Sequence, residues 1–329
     1  MRQNTQSSDI EPAGSQESAL WALHRPADNR VVLADGSDGA LDGLARDELL
    51  ALQWQQEREF ARQILAAPKG SAARSRATCQ AYDTATRILA RVAGSTDRPL
   101  IMGMHPRYGR LVVDLLRRQR RRGHSARFFE IGYGTGTLLK IVASAGFPIA
   151  GIEVAAAMRE QAVAQVGPEH AGRLHLGEFL KCEAPRAEGP WGLVYWNDVF
   201  EHIPPDEIDD WLQRIHEMLA PGGQLVTITP NWHCRPSDVT AAICPPRSEA
   251  AGLHLKEYTL VEVSGMLRRA GFSRVAAPLV VVPQRVVLCG SGLIGWKRLL
   301  EPGLEWLPFR FARLLCRGLG LSCTVATKG

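Results

Sequence analysis

Phe128-Phe129-Glu130-Ile131-Gly132-Tyr133-Gly134-Thr135-Gly136-Thr137, running on into Leu138-Leu139-Lys140-Ile141-Val142, says more about architecture than any other stretch of these 329 residues. A short apolar run is followed by three glycines at alternate positions and then by an apolar helical pattern. That is a strand, a tight turn and a helix, with a turn backbone free to pass close beneath a ligand. A glycine triplet alone is a weak signal, because dinucleotide-binding turns also begin Gly-x-Gly. The spacing here is Gly-x-Gly-x-Gly, not the Gly-x-Gly-x-x-Gly that seats a pyrophosphate on a helix N-terminus. Glu130, two residues ahead of the first glycine, is an acid that would repel phosphate and suit a cationic ligand.

Working outward, the chain from Ala126 alternates short apolar runs with amphipathic segments, the pattern of a parallel sheet with helices on both faces. Strands are expected at 127–131, 148–152, 173–176, 193–196, 224–229 and 275–282, and a last apolar run at 322–327. Helices are expected at about 137–145, 155–166, 205–219 and 259–270. The fold class is therefore α/β, a parallel sheet with helices on its faces. Ahead of it, Leu49, Leu50, Leu52, Trp54, Phe60, Ile64 and Leu65, and then Tyr82, Ile88, Leu89 and Val92, recur at helical spacing. The expected organisation is a flexible leader over 1–45 with at most a short strand near Arg30, a helical N-terminal cap over 46–122, and an α/β core over 123–329. An insertion at about 284–320 precedes the last strand.

The glycine turn resembles motif I of class I S-adenosylmethionine-dependent methyltransferases, and the agreement continues in order along the chain. Gly151-Ile152-Glu153-Val154 places an acid 17 residues after Gly136, which in that family implies hydrogen bonds to the ribose hydroxyls. Leu176-Gly177-Glu178-Phe179 is similar to the segment whose acid faces the adenine edge, and Trp191 to Ile203 to the strand and turn that complete the cofactor site. Leu219-Ala220-Pro221-Gly222-Gly223 is similar to the family's turn into its fifth strand. The resemblance implies a Rossmann-like, seven-stranded, mostly parallel α/β sheet and S-adenosylmethionine as cofactor, held by Glu130, Gly132, Tyr133, Gly134, Gly136, Glu153, Val154, Glu178, Phe179, Asn197 and Asp198. Many relatives carry Asp where Glu130 and Glu178 stand. Methyl transfer from a sulfonium needs aligned reactants rather than acid assistance, and a hydroxyl acceptor must also lose its proton.

Three readings compete for the turn Asp198-Val199-Phe200-Glu201-His202. It forms the cofactor floor, or His202 is a general base, or Asp198, Glu201 and His202 hold a divalent metal that lowers a hydroxyl pKa. Spacings of i, i+3 and i+4 place the three on one face if the turn is helical. The cluster is similar to the acid-x-x-Glu-His pattern of ubiquinone-pathway O-methyltransferases and small-RNA 2′-O-methyltransferases, whose first acid is Glu where this chain has Asp198. His254 stands where those families have a further histidine, and is a fourth metal ligand, a substrate contact or a helix cap. His233 and Cys234 are candidates to face the substrate or to lie at the surface.

Composition agrees with a folded enzyme: 45% hydrophobic, 22% charged, net charge +5. Only six of the 39 basic residues are lysine, a bias that reads as genomic composition before nucleic-acid binding, so a nucleic-acid partner is not expected. The arginines crowding 107–127 read as a solvated helix face. Seven cysteines without a Cys-x-x-Cys pair signal neither a disulfide framework nor a zinc knuckle. The first residues lack a signal-peptide apolar run, and no stretch of about 18 apolar residues occurs, which makes the cytoplasm the expected compartment. The insertion interleaves Trp296, Leu299, Leu304, Trp306, Phe311 and Leu314 with Lys297, Arg298, Arg310, Arg313 and Arg317. It fits a packing layer on the sheet, a substrate lid, a dimer face or a peripheral contact with anionic lipid; the sequence does not set the oligomeric state. The expected function is O-methylation of a small molecule. RNA or protein methylation and non-catalytic S-adenosylmethionine binding are the alternatives, and the glycine spacing disfavours a nicotinamide oxidoreductase.

Overall fold

Side chains on a strand alternate between faces, and the central strand obeys this: Phe129 and Ile131 enter one core, while Phe128 enters the core on the opposite face. The same split recurs on a neighbouring strand, where Val194 and Trp196 point one way and Leu193 and Tyr195 the other. A sheet buried on both faces must be covered by helices on both, which is the layer arrangement observed. The structure is a computed structural model and describes residues 30–92, 106–282, 285–288 and 291–329.

The elements run β1 (Arg30–Val32), β2 (Asp38–Ala40), α1 (Arg46–Ala66), α2 (Ala72–Val92), α3 (Pro106–Arg121), β3 (Phe128–Ile131), α4 (Thr137–Ser144), β4 (Ile149–Glu153), α5 (Ala156–Val166) and β5 (Leu174–Leu176). They continue with α6 (Ala184–Ala187), β6 (Trp191–Asn197), α7 (Ile208–Met218), β7 (Leu219–Ile228), α8 (Leu260–Arg269), β8 (Phe272–Ala276), β9 (Pro278–Val282), β10 (Arg285–Leu288), α9 (Ser291–Leu300), α10 (Phe309–Leu319) and β11 (Cys323–Lys328). Seven strands form the main sheet in the order β5-β4-β3-β6-β7-β11-β8. The β5-β4, β4-β3, β3-β6 and β6-β7 pairs are parallel, and β11 runs antiparallel to both β7 and β8. Strand order reverses at β3, so a crevice opens at the C-terminal ends of β3, β4 and β6, where open α/β sheets bind ligands.

Two expectations change. The run 275–282 is not one strand: β8 ends at Ala276, and β9 leaves the sheet to pair with β10. Pro278, which has no N–H to give a ladder, opens β9, and Lys297 of α9 donates to the carbonyls of Ala277 and Pro278 at the break. Residues 30–45 are also not a leader; β1 and β2 form a hairpin packed on the helical pair, with Val31 and Leu41 buried beside Leu49 and Ile88. Residues 1–29 lie outside the described residues.

Helix α1 opens with Glu48 accepting from the Ala45 N–H. It buries Leu49, Phe60 and Ile64 at helical spacing, but the same face also carries Gln53, Gln56 and Glu57. Polar groups on a buried face require partners. Gln56 receives the Ala34 N–H at 2.7 Å, while Gln53 and Glu57 face the cavity described next. The cap is pinned to the core by Arg74 of α2, 7% exposed at its side chain, which pairs with Asp206 and Glu207 at 2.8 and 2.7 Å.

Candidate active site

A cavity of about 640 Å³ lies at the ends of β3, β4, β5 and β6, roofed by α1 and α2. Of the eleven residues expected to hold S-adenosylmethionine, ten line it: Glu130, Gly132, Tyr133, Gly134, Glu153, Val154, Glu178, Phe179, Asn197 and Asp198.

Gly136 is not on the cavity wall. It caps α4 at φ 79°, and a Cβ there would lie 3.0 Å from Ala162 Cβ and 3.1 Å from Val166 Cγ2. Its missing side chain serves the approach of α4 to α5. Gly134, at φ 51°, faces open space on the cavity wall.

Glu153, at the end of β4, folds its carboxylate back onto the turns. One oxygen accepts the Gly134 N–H at 2.9 Å, the other the N–H groups of Val154 and Ala155 at 2.8 and 3.1 Å. This couples the end of β4 to the glycine turn and leaves lone pairs for a hydroxylated ligand. Burial raises the pKa of Glu153 despite those three bonds, and raises that of Glu130 further, with Glu153 as a repelling neighbour. Glu130 Oε2 is buried and has no partner. Buried carboxyls around an open cavity favour a cationic occupant over a phosphate. The residues therefore fit a ligand bearing sulfonium and ammonium charges. Glu178, the expected adenine contact, is also tied to the cap, accepting from Ser75 Oγ at 3.0 Å and pairing with Lys181 at 3.1 Å.

The other end of the cavity is built on the turn after β6. The Asp198 N–H donates to Ile228 O at 3.1 Å, and Asp198 then adopts φ 53°, a left-handed conformation that Asp tolerates better than most residues. The chain reverses into a 3₁₀ turn, Phe200–His202, anchored by Phe200 against Trp196 and Tyr258 with ring centroids 5.4 and 4.9 Å apart. That anchor drives Glu201 inward to full burial.

Glu201, His202 and His254 each offer a ligand atom within 4.8 Å of one another. Asp198 is not in this set, but its carboxylate accepts from Asn197 Nδ2 at 2.9 Å and also lies against the Glu201 carboxyl. Of the four residues expected to hold a metal, three thus cluster, with Asp198 beside Glu201. Each member is oriented by a neighbour. His202 Nδ1 donates to Leu253 O at 2.8 Å, His254 Nδ1 to Glu257 Oε1 at 2.9 Å, and Thr229 Oγ1 to Glu201 Oε2 at 2.9 Å. Both histidines therefore keep Nε2 free, and His254 Nε2 lies 4.0 Å from Glu201 Oε1, which has no hydrogen-bond partner.

Burial pushes the Glu201 carboxyl up to about 8 and the His202 imidazole down to about 3. Burial opposes charge on His254 as well, but Glu257 and Glu201 outweigh it and raise this histidine to about 9. Burial thus favours the neutral forms of Glu201 and His202, while the acids around His254 favour its imidazolium.

His233 and Cys234 do not line the cavity. His233 Nδ1 pairs with Glu305 at 2.8 Å, and Cys234 packs against the core. Several wall residues were not expected from sequence: Gln53 and Glu57 on α1, Ser75, Thr78 and Tyr82 on α2, and Ser237 and Asp238 after β7. The polar residues on the buried stripe of α1 were the one available signal. Glu57, its pKa raised by burial, receives the Leu253 N–H at 3.1 Å and so links the cap to the His254 loop.

A family profile described as a methyltransferase domain matches residues 103–277. An uncharacterized methyltransferase of Geobacillus kaustophilus (strain HTA426) is 32% identical over 99 residues, 30% of this chain; the chain spans only 43% of that relative's length. Among solved structures, an O-methyltransferase family protein from Burkholderia thailandensis aligns at 17% identity and TM-score 0.44, covering 75% of this chain and 70% of its own. From the same organism, 1,6-didemethyltoxoflavin-N1-methyltransferase, solved with 1,6-didemethyltoxoflavin and S-adenosylhomocysteine, aligns at 16% identity and TM-score 0.46, covering 80% and 92%.

Proposed function

The chain belongs to the methyltransferase-domain family, and on that premise we propose that it transfers the methyl group of S-adenosylmethionine to a hydroxyl of a small molecule. One observation carries this reading: a single cavity joins the glycine turn and Glu153 at one end to His202 and His254 at the other, beneath the cap helices. Its volume of about 640 Å³ lies within the roughly 300–1,000 Å³ of small-molecule sites.

S-adenosylmethionine supplies an electrophilic methyl on a sulfonium with a neutral leaving group. The protein's part is to align donor and acceptor and to accommodate the hydroxyl proton. Glu153 and the glycine turn hold the nucleoside end, while the buried carboxyls of Glu130 and Asp198 gain from ionising against the cationic end. The cap excludes water and sets which acceptor enters, with Gln53, Glu57 and Tyr82 toward it.

The Glu201, His202 and His254 cluster fits a divalent cation. It offers one unpartnered carboxylate oxygen, the Nε2 lone pair of His202 and, once His254 gives up its proton, a second Nε2, each side chain fixed from behind as metal-ligating histidines and carboxylates usually are. Such a cation would lower the pKa of an acceptor hydroxyl. A histidine held neutral down to about pH 3 is a weak base, which favours a ligand role for His202 over general-base catalysis.

The test is methyl transfer from labelled S-adenosylmethionine to a panel of phenols, alcohols and amines, with and without EDTA followed by Mg or Mn. Labelled methyl ethers, formed faster with metal, are expected. Label appearing only on amines, RNA or protein would overturn the acceptor assignment.

A further inference from the structure

We propose that the face formed by α9, the 3₁₀ segment Glu301–Trp306 and α10 is a docking surface for an anionic lipid bilayer. A surface helix needs one apolar stripe, and α10 has two. Ala312 and Cys316 are buried in the core, while Phe311, Leu314 and Leu315 form a second stripe in solvent. Leu299 and Trp306 stand beside it, 81% and 89% exposed. Of the large hydrophobics exposed among the described residues, most belong to this one segment. Such a patch marks an interaction site.

Charge identifies the partner. Arg310, Arg313 and Arg317, at i, i+3 and i+7, form a basic stripe along the edge of the exposed apolar one, all three in solvent. The acids of the segment are already engaged. Glu301 accepts from Asn231 and from the N–H groups of Leu260 and Val261, and Glu305 pairs with Arg235 and His233. A second copy docked through a two-fold axis would set arginine stripe against arginine stripe with no acid of the segment free to answer it. A bilayer of anionic lipid satisfies both stripes: headgroups meet the arginines, and the exposed Trp and Leu side chains enter the boundary region. Asn231 and Arg235, which clamp this segment, lie on the loop that continues into cavity-lining Ser237 and Asp238. The docking face and the cavity therefore share a wall. No helix among the described residues is long and apolar enough to cross a membrane, so the contact is peripheral.

The test is co-sedimentation of the full chain with vesicles of phosphatidylcholine alone and of phosphatidylcholine with phosphatidylglycerol, at low and high salt. Binding to the anionic vesicles alone, lost at high salt, is expected. At about 1 kcal/mol per basic residue near such a surface, the triple variant Arg310→Gln, Arg313→Gln, Arg317→Gln loses on the order of a hundredfold in partitioning. Leu299→Ser with Trp306→Ser lowers it at least about tenfold at unchanged charge. All five positions are exposed, so thermal melts should match the parent chain. No binding to either vesicle, or equal binding to both, overturns the proposal. So does a dimer in sedimentation velocity that Leu299→Ser with Trp306→Ser dissociates, because the patch is then an interface between copies.

Discussion

Gly134→Ala and Gly136→Ala, two residues apart in one motif, should fail in opposite ways. At Gly136 a Cβ meets Ala162 Cβ at 3.0 Å, Ala162 Cα at 3.1 Å and Val166 Cγ2 at 3.1 Å, while φ stays at 79°. The left-handed conformation costs about 1–2 kcal/mol for alanine, and overpacking the contact of α4 with α5 about 1–3 kcal/mol more. A loss of about 3 kcal/mol lowers Tm by roughly 6–12 °C in a domain of this size. S-adenosylmethionine affinity at a temperature where the variant is folded should change less than about threefold, because the residue does not touch the cavity. At Gly134 the added Cβ meets nothing within 4 Å, so stability falls only by the conformational cost of about 1–2 kcal/mol. The methyl occupies cavity space beside the N–H that Glu153 holds, and affinity should fall at least about tenfold. Thermal melts and calorimetric titration of both variants decide the matter. A Gly136→Ala protein with parental Tm and weakened cofactor binding would refute the division of roles.

Glu153→Ala strands the Gly134 N–H at the glycine turn and the N–H groups of Val154 and Ala155 after β4, and should weaken S-adenosylmethionine at least tenfold by calorimetry; unchanged affinity removes the ribose assignment. Glu201 and His254 both have folded-state pKa values above their ordinary ones, about 8 and about 9. Their contribution to stability is complete below the unfolded values and is lost as pH rises through the folded ones, so the metal-free protein should melt lower at pH 9 than at pH 6.5. His202, neutral when folded and partly protonated near pH 6.5 only when unfolded, adds a small slope of the opposite sign at the low end of that window. Because a cation must displace the His254 proton, Mn affinity by calorimetry should rise with pH between 7 and 9, and Glu201→Gln should abolish it; a flat profile counts against the ligand set. Arg74→Met leaves Glu207 and Asp206 without their partner and should cost about 3 kcal/mol, read as a lower Tm and faster proteolysis of α2.

The order of strands and helices and the seven-stranded sheet were legible in the sequence, because each depends on local pattern, and ten of the eleven positions that the resemblance implied line one cavity. Strand alternation, glycine spacing and an acid at a strand end are set by neighbours along the chain. The exceptions all depend on contacts between segments distant in sequence. Gly136 looks like its fellow glycines until α5 is laid against α4. Asp198 takes a left-handed φ, which sequence spacing does not show, and this sets its carboxylate beside both Asn197 and Glu201. Gln53 and Glu57 are ordinary helix polars until the α1 face that bears them roofs a cavity. The pairing of Glu201 and His202 with His254, some fifty residues on, arises only because Phe200 anchors one turn and Glu57 holds the neighbouring loop. Local sequence thus determined which elements form and in what order. Packing, which is non-local and sensitive to shifts of a few tenths of an ångström, decided which side chains meet in the site.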